Sequence, residues 1–195
     1  MILIKFLKKA LKGQSNGQKK YQMNTSYQLI GLIFSFLNYA FIFLFIFSIF
    51  KVNYYNSIVS FFIKLYKPIG KVSLIPNQSL NILFLAITIK FISLFLLYSS
   101  NYDVPVLIGV AVIQNLQLIV RMILFIIIGG VILSWVQPKN TNPFLEIVLE
   151  ISDKILSPLR GLIPSAGGLD FSPLFIFILI QLVGGFLDDI LRYIV

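Results

Sequence analysis

The sequence predicts an all-α integral membrane protein: a duplicated helix–amphipathic loop–helix module with about four transmembrane helices. Three observations predict it. Of the 195 residues, 58% are hydrophobic and only 12% charged, against about 45–50% and about 25% in soluble domains. A chain with so little charge cannot cover itself with a water-compatible surface, so lipid is its solvent. Apolar runs of the length that crosses a bilayer as a helix, about 20 residues, recur along it. They are too long for barrel strands of about 10 residues and lack a period of two. The two halves also repeat one order of elements: span, amphipathic segment, Leu-Ile-Pro, span.

Residues 1–12 place Lys5, Lys8, Lys9 and Lys12 on one helical face and Leu3, Ile4, Leu7 and Leu11 on another. That is a short basic helix suited to an anionic membrane surface. Residues 13–18 (GQSNGQ) form a linker. A cleaved signal peptide fits less well, because the apolar run that follows exceeds an h-region of 7–15 residues. The first span is residues 29–50, within a charge-free stretch from 21 to 50. Residues 54–66 are an amphipathic segment with Lys64 and Lys67 as polar markers, and 80–98 the second span, interrupted by Lys90. Tyr39, Tyr98 and Trp135 stand at or toward span ends, where amphipathic aromatics favour the interface.

The third span is residues 115–136, with Arg121 near its start as an interfacial anchor. Residues 104–118 either lengthen it into one helix of some 30 residues or form a separate interfacial helix. The long helix is the expectation, with Asp103 and Pro105 as its start. Asn142 and Pro143 then begin a second amphipathic helix. Glu146, Glu150, Asp153 and Ser157 make its polar stripe, and Phe144, Val148, Ile151 and Ile155 its apolar one. Residues 173–190 are the fourth span, with Ser172 as N-cap and Asp170 placing negative charge near the positive helix end. Leu74-Ile75-Pro76 and Leu162-Ile163-Pro164 precede the second and fourth spans. The division is therefore 1–25 (basic extension and linker), 26–100 (first module), 101–118 (linker or helix extension) and 119–195 (second module).

Composition limits the chemistry. With no cysteine and no histidine there is no thiolate, imidazole base or imidazole-ligated haem. No catalytic residue, metal ligand or cofactor is expected. The candidate residues are of two other kinds. Arg160, Gly167, Gly168, Asp170 and Ser172 surround the turn into the fourth span. Arg160 and Asp170 are ten residues apart and close enough to pair, and the glycines permit positive φ. The cluster is a structural knuckle or a surface for a partner protein or lipid headgroup. Lys90 and Gln181 sit at similar depths of the second and fourth spans, so the duplication predicts that they face each other near the midplane. They are a packing device or an ion- or solute-related site. Gly129-Gly130 and Gly184-Gly185 read as close-packing sites between helices.

The second half reads LSWVQPKNTNPF from Leu133 and SPLRGLIPSAGGLDFSP from Ser157. As a set, Leu133-Ser134-Trp135, Asn142-Pro143, Pro158-Leu159-Arg160, Ile163-Pro164 and the run from Gly167 to Pro173 resemble the YggT family of small integral membrane proteins. The resemblance covers residues 119–194. The first half looks like a decayed copy, keeping Lys67-Pro68-Ile69-Gly70 and Ile75-Pro76, and the family-type sequence starts near Met23. Lys154 stands where the family usually has proline. The resemblance implies a multi-pass membrane protein acting as a non-enzymatic organiser or assembly factor, in cell division, osmotic tolerance or membrane-complex maturation. A small ion or solute channel or transporter component is the alternative. The expected partners are anionic lipid headgroups and other membrane proteins or further copies of the chain, and not nucleic acid.

Sixteen basic residues against seven acidic ones give +9. Loop 51–79 carries four lysines and no acid, and loop 137–172 carries Lys139, Lys154 and Arg160. The positive-inside rule places both on the cytoplasmic side of the cell (inner) membrane. The six lysines of residues 1–22 pull the other way.

Overall fold

The computed structural model describes residues 25–70, 75–140, 142–161 and 170–195. The expected basic helix over 1–12, the linker over 13–18, Leu74, the 162–164 tripeptide, Gly167 and Gly168 lie outside the described residues. Within them the chain forms six helices and no strand: α1 (Thr25–Ile49), α2 (Ser57–Tyr66), α3 (Gln78–Tyr98), α4 (Val104–Val136), α5 (Pro143–Arg160) and α6 (Ser172–Ile194). Four are long and apolar enough to span a membrane: residues 29–49 of α1, and all of α3, α4 and α6.

Local sequence sets the helix starts. Asn56, Asn77 and Asn142 cap α2, α3 and α5, their side chains accepting from the backbone N–H groups of Ile58, Leu80 and Leu145 at 3.0, 3.2 and 3.0 Å. α2 is shorter than the expected segment. Asn53 accepts from the Tyr55 N–H at 3.0 Å, holding residues 53–56 in a turn, so the helix begins only at Ser57. Pro105 lies in the first turn of α4, and no break occurs at 118, so residues 104–136 are one helix. Arg121 is accordingly mid-helix and exposed rather than near the start of a span.

α4 is the spine. α3, α5 and α6 all pack on it, while α1 packs chiefly on α3. α1 and α3 run antiparallel: Gly31 lies against Leu97, and Ser48 and Ser79 share a hydroxyl hydrogen bond of 2.7 Å at the other end. One apolar core joins Phe41, Ile42 and Ile46 of α1 to Val59 of α2, Ile82 of α3 and Ile147 and Ile151 of α5. A second, at the opposite end, joins Leu94 of α3 to Leu107 and Val110 of α4 and Leu187 and Leu191 of α6.

The expected amphipathic character of α5 is present, but its buried face is rotated. Ile147, Val148, Ile151, Ser152 and Leu156 are buried, and Phe144 is exposed. The rotation follows from the contact with α4. Gly129 lies against Val148, and a Cβ placed on Gly130 would fall inside the Ser152 side chain. A small polar residue on α5 thus seats against a glycine on α4, so the backbones approach closely. Gly129-Gly130 is the close-packing site the sequence suggests. Gly184-Gly185 is not one within this chain, because a Cβ at either position meets only open space.

Gly130→Ala is expected to lower stability by about 1–3 kcal/mol through overpacking. Adding Ser152→Gly should recover most of the loss. Thermal midpoints of the purified single and double variants in detergent test this. A neutral Gly130→Ala, or no recovery, would contradict the packing.

Candidate functional site

Two polar clusters fix α5. The first joins it to the corner between α1 and α2. α1 ends with its last carbonyls turned out of the helical ladder, a position that favours a cation. Lys154 of α5 supplies it: Nζ donates to the Phe50 and Lys51 carbonyls at 2.8 and 3.0 Å and to Glu150 Oε1 at 2.6 Å. Glu150 also accepts from the Asn53 N–H with both oxygens, at 3.2 Å each. Asn56 donates to the Pro143 carbonyl at 2.8 Å and to Glu146 Oε2 at 3.3 Å. The sequence suggests the Glu150–Lys154 pair as a local i,i+4 contact. Its larger role, clamping the second half of the chain onto the first, depends on residues about a hundred positions away. α5 runs unbroken through Lys154 to Arg160.

The second cluster joins the end of α5 to the start of α6. Arg160 Nε donates to Asp170 Oδ2 at 2.8 Å, while its Nη1 donates to Asp153 Oδ1. The expected Arg160–Asp170 contact is thus present, and Asp153 joins it from two turns back on α5. Asp170 Oδ1 accepts from the Ser172 N–H at 2.9 Å. The cap on α6 is therefore the Asp170 carboxylate, not the Ser172 side chain. The helix begins at Ser172 itself with Phe171 ahead of it, and Ser172 is buried. An Asp two positions before the first free N–H can reach it, whereas Ser172 already lies in the first turn. Burial pushes the Asp170 carboxyl up, but the hydrogen bonds from Arg160 and Ser172 outweigh it and hold the group below its ordinary range. Both carboxylates engage one guanidinium, a fixed fork that pins α5 to α6.

Lys90 and Gln181 are not brought together. Lys90 is half-buried on α3, one turn from Ala86, and Gln181 is exposed on α6. The backbones of the two helices make no close approach to each other among the described residues; each packs on α4 instead. The polar groups that do meet within the spans are different ones. Asn38 of α1 donates to Asn115 Oδ1 of α4 at 2.8 Å and to the Ala86 carbonyl of α3 at 2.9 Å. Asn115 in turn donates to the Ala111 carbonyl at 2.8 Å. Both amides are buried. Toward the end of α6, Gln117 donates to Asp188 Oδ1 at 2.7 Å. In the sequence, Asn115 and Gln117 stand out as breaks in the apolar surface of α4. Asn38 carries the same signal as the only amide in an apolar run, but nothing local names its partner 77 residues away.

Residues 109–191 match the CCB3/YggT family model. An uncharacterized Pseudomonas aeruginosa protein is 40% identical over 73 residues, 37% of each chain, so the match spans just over a third of that relative's length. An uncharacterized Haemophilus influenzae protein is 28% identical over 147 residues, 72% of this chain and 79% of its own. The uncharacterized protein YggT of Escherichia coli K12 is 25% identical over 146 residues, 72% of this chain and 77% of its own. No solved structure matches.

A carboxylate held below its ordinary range adds stability that is present at neutral pH and lost as pH falls through its folded value. The Asp170 contribution should therefore fade below about pH 3.9, the free-aspartate value. Its size is under about 1 kcal/mol, because both partners are partly exposed. Thermal midpoints on acidification should show a step that Arg160→Gln flattens. The same step in Arg160→Gln and the parent would rule the linkage out.

Proposed function

From the match of residues 109–191 to the CCB3/YggT family model, we propose that the chain is a member of that family and acts as a non-enzymatic membrane organiser or assembly factor. Its working surface is the outer edge of α5 with the Arg160–Asp170 fork. The observation that carries this reading is how α5 is held. Its inner face is buried against α4 and the α1–α2 corner, and its charged side chains are held in place by hydrogen bonds while keeping an exposed side. What remains outward, Glu146, Asp153, Ser157 and the exposed side of Arg160, is a rigid polar edge in fixed register. An amphipathic helix that served only to float at the interface would not need two clamps at its two ends. A preorganised surface lowers the ordering cost of association. The lysines of loop 51–79 and the basic residues of loop 137–172 support a cytoplasmic position for this edge under the positive-inside rule, against the pull of the six lysines in residues 1–22. The partner that fits is another membrane protein approaching along that face.

A photo-crosslinking side chain at Ser157 in native membranes should give a discrete protein adduct. Arg160→Ala should reduce it severalfold while the protein still accumulates in the membrane. An adduct unchanged by Arg160→Ala would remove the fork from the surface. Ion flux in reconstituted vesicles that vanishes in Lys90→Leu would replace this reading with a transport one.

A further inference from the structure

A crevice of about 200 Å³ opens under the α1–α2 corner. Phe47 of α1 and Val59 and Ile63 of α2 are among its apolar walls, and Lys51, Tyr54 and Gln78 stand among its polar lining. It lies where α1 ends and α3 begins, at the level where a bilayer passes from chains to headgroups. The exposed Tyr54 and Tyr55, whose ring centroids lie 4.6 Å apart, suit that level too.

Lys51 is the second observation. Its φ is +47°, in the left-handed region, at the residue that closes α1, where glycine sits without strain. The Val52 N–H returns to the Phe47 carbonyl at 3.0 Å, so the turn is a helix-closing one. A strained non-glycine residue kept at such a position points to a use for its side chain. Lys51 is among the residues that line the crevice, and its carbonyl is taken by Lys154, which leaves its exposed ammonium as the free group there. The third observation is charge. Loop 51–79 has no acid, and the ion pairs among the described residues involve Lys154, Arg160 and Arg192, not Lys51, Lys64 or Lys67.

We infer that this crevice is a binding site for one anionic phospholipid, with the phosphate held by Lys51 at the rim and part of one acyl chain between Phe47, Val59 and Ile63. An apolar pocket with a cation at its mouth matches that amphiphile at both ends, and a soluble anion at one end only. The site is separate from the α5 edge and does not depend on the partner reading.

The test uses the full chain in phosphatidylcholine nanodiscs, with the single tryptophan replaced (Trp135→Phe) and a reporter introduced by Tyr55→Trp, beside the crevice but outside its lining. Phosphatidylglycerol brominated on its acyl chains should quench the indole saturably at low mole fraction. Brominated phosphatidylcholine should quench only in proportion to its content. Lys51→Gly should weaken half-saturation about fivefold, the contribution of one lysine near an anionic surface, and Lys51→Arg should leave it nearly unchanged. Because Lys51→Gly relieves the strained turn, its thermal midpoint without anionic lipid should equal or exceed the parent's, so weaker binding would not reflect unfolding. Equal quenching by the two lipids, or an unshifted Lys51→Gly curve, would overturn the site. Competition by inorganic phosphate would overturn the lipid and leave a free-anion site.

Discussion

α4 is 33 residues long, about 50 Å at the helical rise, against a hydrocarbon core of about 30 Å. The rest of the fold depends on that mismatch. The first part of α4 packs against α3 and the C-terminal half of α6, with Leu94, Leu107, Val110 and Leu187 forming their joint core. Its last part carries Gly129-Gly130, and there α5 folds back onto it through Val148 and Ser152. A helix of ordinary span length could not have held both sets of neighbours. The surplus length is what lets an amphipathic helix dock on a span and meet the end of α1 at the same time.

A lipid environment then dictates what the polar residues do. The hydrocarbon core offers no hydrogen bonds, so an amide within it must find a partner inside the protein. Asn38, Asn115 and the Ala86 carbonyl satisfy one another across three helices and so fix the rotation of α1 and α3 about α4. Gln117 and Asp188 do the same for α6. Apolar packing alone specifies such rotations poorly, because a Leu-, Ile- and Phe-rich helix is nearly as well packed at several angles. These hydrogen bonds select one.

Outside the core the governing contacts are charges at helix ends. Lys154 neutralises the open end of α1 and Asp170 caps the start of α6, with Glu150 and Arg160 holding each in place. The two halves of the chain, similar in element order, are thereby not equivalent. The second half's amphipathic helix reaches into the first, where it meets the shorter α2 as well as the end of α1.

Element types and most of their limits were legible in the order of residues alone. Apolar runs, asparagine caps and in-turn prolines are local signals, and they located all four spans, the start of α5 and the unbroken α4. The Arg160–Asp170 contact was legible too, because ten residues across one turn leave few alternatives. Only the tertiary structure decided which polar residues meet. Lys90 and Gln181 have matching depths, yet the backbones of α3 and α6 make no close approach to each other, while Asn38 and Asn115 meet across 77 residues. It also set the rotation of α5, where Phe144 was traded for Ile147 because Ser152 had to seat on Gly130. Depth in a bilayer follows from counting residues along one helix. Facing depends on how helices rotate about each other, and that is settled by contacts between residues far apart in the chain.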